Sequence, residues 1–172
     1  MLTNVQKADD LFQILVKKFS KDPKVWENYA NFLHTTYSRP DDARLLLPRA
    51  LQILPAQTLP LTVKFAAMEF KSKNGSPERG RTMFEGILSQ FPKRLDIWNQ
   101  LIDLEVGQGD KEIIRAVFER VLKVKGLKDK SAQALFGRWS KWEEANGDKK
   151  ALTRVEAKKE EWDNSEKVRR GK

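Results

Sequence analysis

The stretch SPERGRTMFEGILSQFPKRLDIWNQLIDLEVGQGDKEIIRAVFERVLK, residues 76–123, reads as three helices divided by two stops. Its first segment, 76–91, opens with a serine able to cap free amides and a proline in the first turn, where a missing N–H goes unnoticed. Pro92 ends that segment. In the second, 95–108, Trp98, Leu101 and Leu104 recur at a spacing of three. The pair Gly109–Asp110 then turns the chain into a third helix over 111–123. Period-two alternation is short wherever it occurs, while spacings of three and four persist, so the fold class is all-α.

Working outward, the same grammar recurs. A helix over residues 5–19 carries Ala8, Leu11, Phe12, Leu15 and Phe19 on one face and stops at KDP, 21–23. A second, 24–36, carries Trp26, Tyr29, Phe32 and Leu33. A third runs over 40–54 with proline and two acids at its start, and Pro48 inside it should bend or break it. Residues 61–70 form the next. After the basic connector 123–130 come a helix over 131–146, the turn Gly147–Asp148 and a last helix from Lys149 towards Val168. The closing VRRGK is expected to fray.

Laid on one another, the helix pairs fall into register. Trp26, Thr62, Trp98 and Phe136 stand 36, 36 and 38 residues apart. Tyr29, Phe65, Leu101 and Trp139 follow three positions on, then Phe32, Met68, Leu104 and Trp142, then Leu33, Glu69, Glu105 and Glu143. In the second helices Arg44, Arg81 and Arg115 align, as do Leu47, Phe84 and Phe118, then Pro48, Glu85 and Glu119. One hairpin cannot cover both faces of its apolar stripe, so a two-helix period in the middle thirties predicts a right-handed α–α superhelix, a solenoid of stacked hairpins. The expected organisation is one solenoid domain. Residues 1–23 form the second helix of a leading repeat. Repeats follow at 24–57, 58–93, 94–129 and 130–168, the last with the C-terminal helix, and 169–172 form a disordered basic tail.

The first-helix aromatics, the late glutamate and the pattern R-x-x-F-E-x-x-L resemble the half-a-TPR repeat. Its carriers are Arg81, Phe84, Glu85 and Leu88, then Arg115, Phe118, Glu119 and Leu122, with Pro23, Pro55 and Pro92 closing second helices. From about residue 8 to 159 the chain is further similar to the C-terminal repeats of the ribosomal RNA processing protein 5 family, large nucleolar factors of eukaryotes. SPERGRTMFEG and FPKRLDIWN carry that likeness most strongly. Pro48 and the turn HTTYSRP depart from the pattern. The resemblance implies a preceding array of OB-fold RNA-binding repeats and a role in pre-rRNA cleavage, this end favouring the small-subunit precursor. It also implies that the chain is a piece of a longer protein, with a preceding hairpin over the apolar face of residues 8–19.

Composition narrows the chemistry. The 172 residues have no cysteine, which excludes disulfides and thiolate metal sites and makes a reducing compartment the expectation. A net charge of +9 favours acidic partners, RNA or protein. Glu69, Glu105 and Glu143 stand a repeat apart, too far for joint acid–base work. Each is expected to pair within its own hairpin, Glu69 with Arg81 and Glu105 with Arg115, or with turn amides. Trp26, Trp98, Trp139 and Trp142 sit on the core stripe. Trp162 either closes the end of the stack or serves as an exposed contact. His34, the only histidine, lacks partners for a metal site and belongs to the surface or a turn. The glycines form no phosphate loop. No catalytic, cofactor or metal-ligating constellation emerges.

The candidate RNA or partner contacts are therefore basic: Lys93 and Arg94, the connector's Lys123, Lys125, Lys128 and Lys130, and Lys158, Lys159 and Trp162 on the last helix. Trp26, Tyr29, Phe65, Glu69, Arg81, Phe84, Trp98, Glu105, Arg115, Phe118, Trp139 and Glu143 are the structural signature. The expected function is a non-enzymatic, nucleolar scaffold among ribosome-assembly proteins. A partner helix or peptide would lie on the solenoid's concave face, possible RNA contacts being pre-rRNA or small nucleolar RNA. The alternatives are a direct RNA-binding repeat or a half-a-TPR module of splicing or 3′-end processing.

Overall fold

The computed structural model describes residues 1–171, and among these every regular element is helical. The order is α1 (Asn4–Lys18), α2 (Pro23–Thr35), α3 (Pro40–Ile53), a 3₁₀ turn at Pro55–Gln57, α4 (Thr58–Lys71), α5 (Pro77–Gln90), α6 (Leu95–Gln108), α7 (Lys111–Leu122), α8 (Asp129–Asn146) and α9 (Lys149–Arg170). Starts are set by side chains that satisfy free amides. Asp22 caps α2, Ser76 caps α5, Asp110 caps α7 and Asp148 caps α9. Prolines occupy the first turns of α2, α3 and α5. Gly109 ends α6 at φ 84°, in the left-handed region where a side chain would be strained.

The helices gather into two compact units, Met1–Phe91 and Pro92–Lys172. In the first, α2 packs against α1, α3 and α4, and α4 against α5. Its core joins Val16, Trp26, Tyr29, Leu33, Leu46, Leu61 and Phe65, with Phe12 stacked on Tyr29 at 5.2 Å. The Tyr29 hydroxyl donates to Asp9 at 2.6 Å; burial and that carboxylate push its pKa up. In the second, hairpins α6–α7 and α8–α9 join through α7 and α8. There Phe118 stacks on Trp139 at 5.4 Å, the rings almost parallel. Trp26, Trp98 and Trp139 are buried.

Four local expectations are corrected. Of the bend or break expected at Pro48, the break does not occur: α3 runs through it, with Ala43, Leu46 and Ala50 anchored in the core on either side. The helix over 61–70 begins earlier, at Thr58, with Pro60 accommodated in its first turn, where no intrahelical donor is required. Helix α9 continues through Arg169 and Arg170, residues placed in a disordered tail, because Arg170 binds Asp129; Lys172 lies outside the described residues. His34 is neither at the surface nor in a turn. It is 1% exposed, in the last turn of α2, covered by α4 and the turn after it.

Candidate interaction surfaces and the repeat signature

The late glutamate of a first helix is buried, and a buried carboxylate must be paired. Glu69, on α4, receives Nε and Nη2 of Arg44 at 2.8 and 2.9 Å, and the Ser76 amide at 2.8 Å. Burial pushes this carboxyl up, but the Arg44 bonds and the Ser76 amide outweigh it and hold its pKa below 4.5. Glu143, on α8, receives Nε and Nη2 of Arg115 at 2.7 and 3.1 Å, and the Trp139 indole at 3.3 Å.

The expected pairs Glu69–Arg81 and Glu105–Arg115 are thus corrected. The arginine comes from the helix before the glutamate's own hairpin, Arg44 of α3 and Arg115 of α7, because stacking brings that helix over the carboxylate. Arg115 completes its donors on Glu112 at 2.8 Å and lies over Trp142. Arg81 lies over the ring of Phe70, and Glu105 is buried. The Ser76 amide does supply the turn bond foreseen for Glu69. The alignment of Arg44 with Arg81 and Arg115 was the available signal.

His34 sits beside the first clamp, its Nε2 3.8 Å from Glu69. Desolvation pushes its pKa down against the opposing pull of Glu69, so it is neutral. Its carbonyl accepts from Asn74 at 2.7 Å and Ser72 at 3.3 Å, tying the turn after α4 to the end of α2. The two clamps and His34 thus lie within the packing between neighbouring helices and hold them together.

The surface candidates divide. Lys93, Lys123, Lys125, Lys128 and Lys130 are exposed, and among the described residues none of the five is held in an ion pair. The structure brings Lys93 to the connector, its Nζ 3.8 Å from where a Cβ on Gly126 would stand. Asp129, at the start of α8, accepts from Trp162 at 2.9 Å and from Arg170 at 3.1 Å, its carboxyl lowered by those bonds and Gln133. That hub draws the basic last turn of α9 to the same end of the unit, which residue spacing alone did not reveal. By contrast Arg94 is spent on Asp96, Lys158 faces Glu119 at 3.8 Å, and Lys159 faces Asp163 at 3.4 Å. Trp162 packs edge-on against Phe136 and is half-buried. Among the described residues no group of three or more metal-ligating side chains converges, and no helix is long and apolar enough to cross a membrane.

Paired helices, aromatic first helices and an Arg–Glu clamp recurring between hairpins describe one repeat family. The model of the suppressor of forked protein (Suf) matches residues 41–170. The chain belongs to the Suf family. This Suf-family chain is 44% identical over 152 residues to the rRNA biogenesis protein rrp5 of Schizosaccharomyces pombe, covering 88% of the chain and 9% of that protein. It is 34% identical over 154 residues to the protein RRP5 homolog of Mus musculus, 89% of the chain and 8% of that protein. With the rRNA biogenesis protein RRP5 of Arabidopsis thaliana it shares 31% over 160 residues, 92% of the chain and 8% of that protein. The chain therefore spans under a tenth of the length of these relatives.

Proposed function

We propose that this Suf-family chain is a non-catalytic protein-interaction scaffold of a ribosome-biogenesis factor, acting in pre-rRNA processing and in assembly of the small-subunit precursor in the nucleolus. The observation that carries the reading is its likeness to rRNA biogenesis proteins along nearly its whole length. The clamp supports it from the chemical side: the carboxylates of Glu69 and Glu143 are consumed in holding hairpins together and are not presented to a substrate. Crosslinking with mass spectrometry on the nuclease-treated precursor particle tests it. Crosslinks from the chain to assembly proteins are expected; crosslinks to RNA alone would overturn it.

A second reading, direct RNA contact, is favoured by the unpaired lysines around the 123–130 connector. Phosphate contacts there would give an affinity that falls steeply with salt, and a flat dependence would reject them.

A further inference from the structure

The two units treat the same inter-helix groove differently. In the second unit, the cleft between α7 and α9 is small, about 130 Å³, and Lys158 bridges it to Glu119 at 3.8 Å. In the first unit the equivalent cleft lies between α3 and α5, above Phe65. Counting from the arginine of each clamp, the position of Glu119 is taken by Pro48; counting from the helix caps Asp148 and Ser76, that of Lys158 is taken by Gly86. Neither residue can form the bridge. The cleft opens to about 600 Å³, and past Met83 a second hollow of about 330 Å³ follows along α5, between α4 and α5, beside Gly86 and Phe91.

Its chemistry excludes some ligands. In a chain of net charge +9, the cleft's charged lining is balanced: Arg44 and Arg79 against Glu69 and Glu78. The hollow beyond Met83 has no charged lining residue. A polyphosphate gains nothing here. The floor is Leu47, Pro48, Phe65 and Met83, and an ideal Cβ on Gly86 would meet nothing within 4 Å, so the floor stays open. The groove follows α5 for about 20 Å at 1.5 Å per residue, the length of a helix of three to four turns. A trough walled by α5 with α3 and then by α5 with α4, apolar along its floor, seats a third helix by ridge and groove, and among the described residues no sheet edge is offered to an extended strand.

We propose that the α3–α5 groove of the first unit is a docking site for an amphipathic helix of another protein, one whose buried stripe is apolar and uncharged. The site rests on the scaffold reading and sharpens it. Pro48 and Gly86 mark it, standing where the second unit joins α7 to α9 through Glu119 and Lys158, and Thr82 stands where Arg154 lines the smaller cleft.

The test installs that bridge. Fluorescence polarisation follows a labelled 14-residue model helix with leucines at i, i+3, i+4, i+7 and i+11, Glu and Lys elsewhere, alongside a scrambled isomer. The whole chain is compared with its P48E/G86K variant, which removes a proline and a glycine from helices and so should melt no lower. The striped peptide is expected to bind at least tenfold more tightly than the scrambled one, and the variant to weaken it at least tenfold. Met83→Asp, a single change on the groove floor, should do the same and stands in if the double variant misfolds. Equal binding by the scrambled isomer, or undiminished binding by both variants, overturns the proposal. Sedimentation showing that the free chain dimerises through this groove, with P48E/G86K monomeric, would name a second copy as the occupant and overturn it too. Nuclease-resistant capture of assembly proteins by both the original chain and P48E/G86K, with no peptide binding, would reject the groove and leave the scaffold reading standing. Capture by neither would reject the scaffold itself.

Discussion

Arg44 and Glu69, 25 residues apart, form a two-bonded clamp of 2.8 and 2.9 Å that fastens α3 to α4. Arg115 and Glu143 repeat it between α7 and α8. Glu69 is 2% exposed while Arg44 is 22% exposed, so the pair is sheltered without being sealed. Removing either partner strands the other.

Glu69→Ala and Arg44→Ala should each lower stability by roughly 2–4 kcal/mol, the loss incurred when one member of a sheltered ion pair goes unpaired. Urea denaturation measures it. The double variant should lose clearly less than the sum, and strict additivity would show that the two side chains do not interact energetically.

Acid should act in two stages. His34 has a folded pKa depressed below its ordinary 6.5, so the unfolded chain takes up its proton first. Stability present above 6.5 is lost as pH falls from there through the depressed value. Glu69, depressed below 4.5, adds a further loss as pH falls below that. His34→Gln should flatten the upper part of a plot of unfolding free energy against pH and leave the lower part. An unchanged upper slope would acquit His34.

Gly80 and Gly107 should respond oppositely to alanine. A Cβ at Gly80 would stand 2.6 Å from the Phe70 ring and 3.0 Å from the Ala66 carbonyl, a contact that forces α4 and α5 apart. Gly80→Ala should cost about 1–3 kcal/mol. Gly107 in α6 has open space, so Gly107→Ala should gain up to about 1 kcal/mol through helix propensity. Thermal melts of the two variants decide it.

At the cationic end of the second unit, replacing Lys125 and Lys128 by glutamine should leave the melting temperature unchanged, since neither is in an ion pair. If RNA is held there, the slope of log affinity against log salt should shrink by about 0.7 per lost phosphate contact. An identical slope would place the RNA elsewhere.

Helix content, hairpin pairing and the buried tryptophans were legible from the chain because 3.6-residue periodicity, caps and prolines act over a few residues. The register even aligned Arg44 with its counterparts. What it could not supply was the partner, since a salt bridge across a stack depends on which helix lies over the carboxylate. For the same reason His34 looked like a surface residue: polarity argues for solvent until packing puts α4 over it.

The sequence by itself determined that this chain is a run of helical hairpins with a repeated Arg, Glu and aromatic signature, because those features follow from local periodicity. Only the tertiary structure decided that each clamp reaches back to the preceding helix. It alone showed α9 returning to Asp129 with its basic last turn, and Pro48 and Gly86 standing where the second unit has its Glu119–Lys158 pair. These depend on distances between helices, which no spacing along the chain encodes.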